Sequence, residues 1–126
     1  MTRQPAQAGA FRPYVVTPVG TGKLIHISGL TSGAEAPFDL TAQAELIFGK
    51  LEAILKAEGG DLASLVKINA YIVDMREYDD YNAVRNRRFA GIVNLPASAT
   101  IGGAQLVRPA NRIEIDGTAF IASSGG

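Results

Sequence analysis

Two carboxylates near the end of the chain, Glu114 and Asp116, are the side chains best suited to acid–base chemistry. They stand two residues apart in the alternating run Arg112 to Ile121, which predicts a β-strand with both on one face. A carboxylate partly withdrawn from water can have a raised pKa and act as a general acid or base on water or an amine. From the alternation alone, a solvated or interface-paired charge is the simpler interpretation of Glu114. For Asp116, a charge at a rim or a subunit contact is favoured.

The other charged side chains that could serve a site are arginines. Arg85 lies one turn beyond Asn82 in a predicted helix and can share its face, so it could supply a cation to a cleft. A solvated helix face is the favoured interpretation of the run Arg85, Arg87 and Arg88. Arg108 and Arg112 flank the loop before the last strand and are candidates for the rim of a cleft.

The composition excludes several classes of protein. The chain has 126 residues, 12 basic and 12 acidic, which predicts one domain over residues 1–126 and argues against nucleic-acid binding. With no cysteine and one histidine, His26, we expect no disulfide and no metal site within one chain. No apolar run approaches the ~20 residues of a membrane span. Because residues 1–10 also lack a signal-peptide core, we expect a cytoplasmic protein without membrane contact.

The hydrophobic periodicity predicts an α+β domain with the element order ββαβαββ. The predicted elements are strands around 14–16 and 24–28, a helix over 40–55, a strand over 66–73, a helix over about 76–91, and strands over 100–104 and 112–121. Asp39 or Thr41 can cap the first helix, and Gly59-Gly60 can end it. Val66 is expected on the same strand face as Ile68. Residues 1–12 are predicted to be a loose arm and 123–126 a frayed tail.

Both helices are expected on one face of a mixed sheet. The opposite face would then carry a mixture of polar, charged and aromatic side chains. Its predicted members are His26, Ser28, Asn69, Tyr71, Glu114, Asp116 and Phe120. This mixture suits neither a monomer core nor a solvated surface, so we expect a symmetric oligomer to cover it.

Short strings along most of the chain, in matching order, resemble the Rid family, the reactive intermediate deaminases, also called the YjgF family. These strings are Pro13-Tyr14, Ile27-Ser28-Gly29, Val66-Lys67 to Asp74-Met75, Tyr81-Asn82, Leu95-Pro96-Ala97 and Ile113 to Asp116. The resemblance implies a chorismate mutase-like (YjgF) fold and a homotrimer with a central barrel of sheets and ligand clefts between subunits. It also implies hydrolysis of enamines and imines, without cofactor or metal, to ketoacids and ammonia.

The resemblance assigns roles residue by residue. Glu114 matches the glutamate that positions the attacking water. Other matching positions, which would bind substrate or lie near the ligand, are Tyr14, Ser28, Gly29, Asn82 and Thr100. Ser98 stands where the family has an arginine that binds the substrate carboxylate. The segments around Ser98 and Glu114 resemble a pair of adjacent C-terminal strands.

Replacing that arginine with serine should cost a few kcal/mol of substrate binding, because an arginine–carboxylate pair is charge-assisted and a serine hydroxyl is neutral. We therefore expect weak or no standard 2-imino acid deaminase activity unless Arg85, Arg108 or Arg112 supplies the cation. The first hypothesis is a divergent Rid-type hydrolase acting on an imine, enamine or related small molecule. The alternative is a non-catalytic trimer that binds a metabolite or a protein, in a translation-regulatory or chaperone-like role.

Overall fold

A computed structural model describes residues 10–34 and 37–123, and within them the order ββαβαββ is confirmed. The elements are β1 (Tyr14–Val19), β2 (Gly22–Leu30), α1 (Leu40–Ala57), β3 (Leu65–Ile72), α2 (Tyr78–Arg88), β4 (Ala97–Ile101) and β5 (Ile113–Ile121). Most of the predicted arm and the last three residues of the predicted tail lie outside the described residues. Within the described ranges, no helix is long and apolar enough to cross a membrane.

The five strands form one mixed sheet in the order β1-β2-β5-β3-β4. All neighbours are antiparallel except β3 and β4, which are parallel because helix α2 carries the chain back across the sheet between them. The expectation that the last two strands are adjacent is wrong, since β3 lies between β4 and β5.

Both helices lie on the same face of the sheet, and local chemistry fixes their ends. Asp39, not Thr41, caps α1: its Oδ1 accepts a hydrogen bond of 2.7 Å from the Ala42 backbone N–H. After the helix, Gly59 takes a positive φ of 91°, which a glycine adopts readily. Helix α2 starts later than predicted because Asp74 caps a separate 3₁₀ turn, Met75–Glu77, in front of it.

Three strand details differ from expectation. A bulge between Leu65 and Lys67 places Leu65 in the core and leaves Val66 48% exposed, so the predicted facing of Val66 is wrong. Strand β1 continues through Pro18, which is tolerated because an edge strand needs fewer backbone donors. Strand β4 starts at Ala97 rather than at residue 100, and therefore includes Ser98.

The two faces of the sheet differ sharply. Isoleucines such as Ile68, Ile113 and Ile115 pack under the helices and are fully buried. The opposite face, here called the open face, carries the alternate residues of the same strands, among them Asn69 and Glu114, which are half-buried. The mixed open face is as the alternation predicts, and the trimer expected to cover it stays a prediction.

Candidate active site

Glu114 lies on the open face in the middle of β5, opposite Tyr71 of β3. Its neighbours Ile113 and Ile115 are buried on the other face, so the alternation of the strand fixes the direction of the carboxylate. The carboxylate lies against Gly29 of β2, where an added Cβ would collide with Oε2 of Glu114. The missing side chain at Gly29 therefore makes room for this carboxylate.

Glu114 and Asp116 have different surroundings although they share a face. Asp116 accepts hydrogen bonds from Asn69 Nδ2 at 2.8 Å and from the Tyr71 hydroxyl at 2.9 Å. Glu114 has no hydrogen bond or ion pair with any residue that the structure describes. Burial raises the pKa of Glu114, and the charge of Asp116 adds to the shift. We call Gly29, Asn69, Tyr71, Glu114 and Asp116 the Glu114 cluster.

A second group of polar side chains surrounds Arg85 on the helix-covered face. Its Nη1 donates to Ser98 Oγ at 3.0 Å, and its Nη2 donates to Asn82 Oδ1 at 2.6 Å and to the Tyr78 hydroxyl at 3.1 Å. The guanidinium carbon also lies 5.0 Å from the ring centroid of Tyr81. We call Tyr78, Asn82, Arg85 and Ser98 the Arg85 cluster.

The interpretation of Arg85 as part of a solvated helix face is wrong. Helix α2 leads into β4, so the side of α2 that carries Asn82 and Arg85 packs beside Ser98. Arg87 and Arg88 have a different role, since they bind Glu45 of α1 at 2.9 and 2.8 Å and join the two helices. These two hydrogen bonds lower the pKa of Glu45.

Of the three arginines that could replace the missing one, Arg85 is the one that contacts Ser98. Arg112 instead binds Glu77 at 3.0 Å and the Phe38 carbonyl at 3.0 Å, and Arg108 is exposed in its loop. Arg85 has no carboxylate partner among the residues of known position. Its positive charge is thus held by neutral groups alone.

A recess of about 320 Å³ adjoins the Arg85 cluster. Its wall is mainly apolar and is formed by Ile68, Phe89, Leu95 and Pro96, with Arg85, Asn86 and Ser98 as polar members. Nearby, the hydroxyl of Tyr81 is buried without a hydrogen-bond partner in the described ranges. Burial raises the pKa of Tyr81, while the charge of Arg85 opposes this rise.

The two clusters lie on opposite faces of the sheet. Ser98 and Thr100 are in register with the buried residues Ile68 and Ala70, so both face the helices, whereas Glu114 faces away from them. Within one chain, the structure brings Gly29 to Glu114, and Asn82 to Ser98 through Arg85. It does not bring these two groups together.

The other two predicted site residues have partners of their own. The Tyr14 hydroxyl donates to Glu58 Oε2 at 2.8 Å, on the helix-covered face and at the sheet edge far from Ser98. Ser28 Oγ donates to the Arg12 carbonyl at 2.6 Å, next to Gly29. Neither contact joins these residues to Glu114. Their role in a cleft stays a prediction.

One polar residue that supports the site was missed. Gln43 is fully buried in α1, donates to the Pro37 and Ala110 carbonyls, and accepts from the Arg112 backbone N–H at 2.7 Å. It therefore fixes the loop that leads into β5. The signal was present, because Gln43 stands three residues after Leu40 and four before Ile47, within the apolar stripe.

The fold and the sequence correspond to one class of protein. The family model for endoribonuclease L-PSP matches residues 1–121. The chain belongs to this family, which is also called the YjgF or Rid family. Among the described residues, no group of three or more histidine, aspartate or glutamate side chains could hold a metal ion.

Two curated relatives and two solved structures are similar to most of the chain. The 2-iminobutanoate/2-iminopropanoate deaminase of Rattus norvegicus is 30% identical over 123 residues, 94% of this chain and 85% of the relative. Protein DfrA of Myxococcus xanthus is 32% identical over 106 residues, 80% and 79% of the two chains. A YjgF-family structure from Neisseria meningitidis has a TM-score of 0.81 at 27% identity, covering 94% and 93%. RidA from Psychrobacter has a TM-score of 0.76 at 26% identity, covering 94% of both chains.

Proposed function

We propose that this protein hydrolyses the C=N bond of a small imine, formed directly or from an enamine, in the cytoplasm. The observation that carries the proposal is Glu114, a half-buried carboxylate with a raised pKa and no partner among the described residues. The rat relative, named as a deaminase of two 2-imino acids, supports the same reaction class.

The chemistry needs one group that both accepts and returns a proton. A water oxygen bonds to the imine carbon while Glu114 takes a proton from that water and passes it to the nitrogen. Glu114 then takes the hydroxyl proton of the resulting carbinolamine and gives it to the same nitrogen, so that the C–N bond breaks, a carbonyl forms and ammonia leaves. A carboxylate with a raised pKa suits both transfers, because its proton affinity is closer to neutral pH.

The proposed site lies between two copies of the chain in a homotrimer. Glu114 and Ser98 face opposite sides of the sheet, so a site that uses both must take them from different copies. The open face, with the Glu114 cluster and the exposed Phe120, supports coverage by a neighbouring subunit. Thr100, Asn82 and Ser98 would then contact the ligand from one copy, and Gly29 and Ser28 would lie beside Glu114 of the other.

The direct test measures imine hydrolysis by the purified protein. Imines are generated in situ by an amino-acid oxidase, and the protein is scored by the decrease in imine trapped by semicarbazide. We expect turnover for part of a panel of 2-imino acids and a loss of about 100-fold or more in Glu114→Gln. Asp80→Asn, which removes an exposed carboxylate of α2, is the matched control and should keep full activity.

Two results would contradict the proposal. One is an unchanged rate in Glu114→Gln, and the other is no hydrolysis of any imine or enamine in the panel. Ligand binding without turnover would instead support the non-catalytic metabolite-binding alternative. That alternative is favoured by Ser98, since the strand itself offers only a neutral hydroxyl to a substrate carboxylate.

A further inference from the structure

We infer that Arg85 binds the anionic group of the substrate, so that the cation of this site comes from helix α2 instead of strand β4. The inference rests on the proposed function for its substrate class. It makes Arg85 a specificity-determining residue. The ligand would be a carboxylate with an apolar side chain larger than that of 2-iminopropanoate.

The guanidinium of Arg85 has hydrogen-bonding capacity beyond its contacts with Ser98, Asn82 and Tyr78. Arginine has five N–H donors, and Arg85 uses three of them on Ser98, Asn82 and Tyr78. Those three acceptors hold the group in place, and two N–H donors remain without an acceptor among the described residues. A positioned guanidinium with unused donors is suited to an anion, because charge-assisted hydrogen bonds are about twice as strong as neutral ones.

The charge of Arg85 is balanced differently from the charges of four other arginines. Arg76, Arg87, Arg88 and Arg112 each have a carboxylate oxygen within 2.7–3.0 Å. Arg85 is half-buried and has none in the part of the chain that the structure describes. A partly buried charge without a counter-ion is unfavourable, so a ligand anion would stabilise the Arg85 guanidinium more than a neutral ligand group would.

A mainly apolar recess lies beside the guanidinium. Its apolar wall of Ile68, Phe89, Leu95 and Pro96 is suited to contact with the hydrocarbon part of a ligand, and its volume is about 320 Å³. At about 30 Å³ per water-sized group, it has room for on the order of ten heavy atoms. An anion bound to Arg85 with an apolar chain along this wall fits better than a three-carbon acid such as 2-iminopropanoate, which would leave the wall exposed.

The test measures equilibrium binding, so it does not depend on turnover. Calorimetric titration uses 4-methyl-2-oxopentanoate, which pairs a carboxylate with a branched apolar chain, against its methyl ester. We expect the acid to bind wild-type protein at least about tenfold more tightly than the ester. Equal affinities, or no binding of the acid, would overturn the inference without any variant having to fold.

Variants then assign the preference to Arg85. Arg85→Met should weaken binding of the acid at least about tenfold and leave the ester unchanged. Arg85→Lys should recover part of the loss, because the charge returns without the planar geometry. Arg108→Met removes an equal charge from an exposed arginine and should bind the acid as wild type does. Wild-type affinity in Arg85→Met, or a loss in Arg108→Met, would overturn the assignment.

A swap of positions is the sharpest variant. Ser98→Arg alone places two guanidinium groups together, so the informative protein is Arg85→Met combined with Ser98→Arg. We expect this pair to shift the binding preference from 4-methyl-2-oxopentanoate towards 2-oxopropanoate. An unchanged preference would contradict the inference. Glu114→Gln separates the two proposals, since it should lose turnover but keep the binding of the acid.

Discussion

The Glu114 cluster and the Arg85 cluster are opposite in charge and similar in construction. Among the described residues, Glu114 has no hydrogen-bond or ion-pair partner, and Arg85 has three neutral partners but no carboxylate. By contrast, the Asp116 carboxylate accepts two hydrogen bonds, and the Arg88 guanidinium has a carboxylate partner in Glu45. The comparison separates charges that stabilise the fold from charges left available for another molecule.

The separation of the clusters is as informative as their contents. One chain presents a carboxylate on the open face of the sheet and a guanidinium on the helix-covered face. An enzyme that needs both must therefore bring two copies together. The following experiments test whether the two clusters act as halves of one site.

The largest expected effect comes from mixing two inactive variants. Glu114→Gln and Arg85→Met should each lose most activity alone, because each damages every site in the oligomer. Co-expressed in equal amounts, they should regain about a quarter of wild-type activity, since about one interface in four receives both intact residues. The measurement is the imine assay on purified mixed oligomers.

Its control mixes Glu114→Gln with the double variant that carries both substitutions. Every chain in that mixture lacks the Glu114 carboxylate, so no interface can contain an intact site and no activity should return. Recovery in the control, or none in the first mixture, would show that the two clusters do not form one site across subunits.

Sequence reasoning could predict most of the Glu114 cluster, because the alternation of β5 predicts the face of Glu114. Gly29 is different, since only the family resemblance placed it near the ligand. A bulge between Ile27 and Leu30 brings it to the face of Glu114. The same alternation failed at Val66, where a bulge shifts the pattern by one residue. A bulge leaves little trace in a single sequence.

The Arg85 cluster could not be predicted in the same way. The spacing of Asn82 and Arg85 shows that they share a helix face, but it does not show what that face contacts. Contact with Ser98 depends on β4 starting at Ala97 and on its parallel pairing with β3. Those are tertiary features, and the predicted strand started after Ser98.

A second, smaller effect is expected from adding one methyl group at Gly29. Gly29→Ala places a Cβ against the Glu114 carboxylate, which must rotate away, while the backbone there has no positive φ to strain. A misplacement of about 1 Å should lower kcat by roughly 10- to 100-fold with little change in Tm. Binding of 4-methyl-2-oxopentanoate at Arg85 should stay at the wild-type level.

Gly49→Ala is the matched control, since an added Cβ at Gly49 meets no atom within 4 Å. It should keep full activity. If Gly29→Ala also keeps full activity, the orientation of Glu114 does not matter for the rate. The Glu114 cluster would then lose its assigned role.

A third effect concerns the pH dependence of the rate. The charge of Asp116 helps to raise the pKa of Glu114, so Asp116→Asn should lower that pKa. In the pH profile of kcat/KM, the limb that reflects ionisation of Glu114 should therefore move to lower pH. Tyr71→Phe is the control, because it removes a hydrogen bond to Asp116 but keeps the charge. Equal movement of the limb in both variants would contradict an electrostatic cause.

The smallest expected effect is on stability, and its sign follows from the raised pKa of Glu114. A carboxyl whose pKa is higher in the folded protein favours folding when protonated, and this benefit is lost as pH rises through the folded pKa. Glu114→Gln should therefore raise the Tm at pH 7. The gain in the free energy of unfolding should be less than about 1 kcal/mol, because the group is partly exposed. The gain should disappear below the ordinary value of 4.5, where both states are protonated. A lower Tm at pH 7, measured by calorimetry, would mean that a cation of a second copy already pairs with Glu114 in the assembled protein.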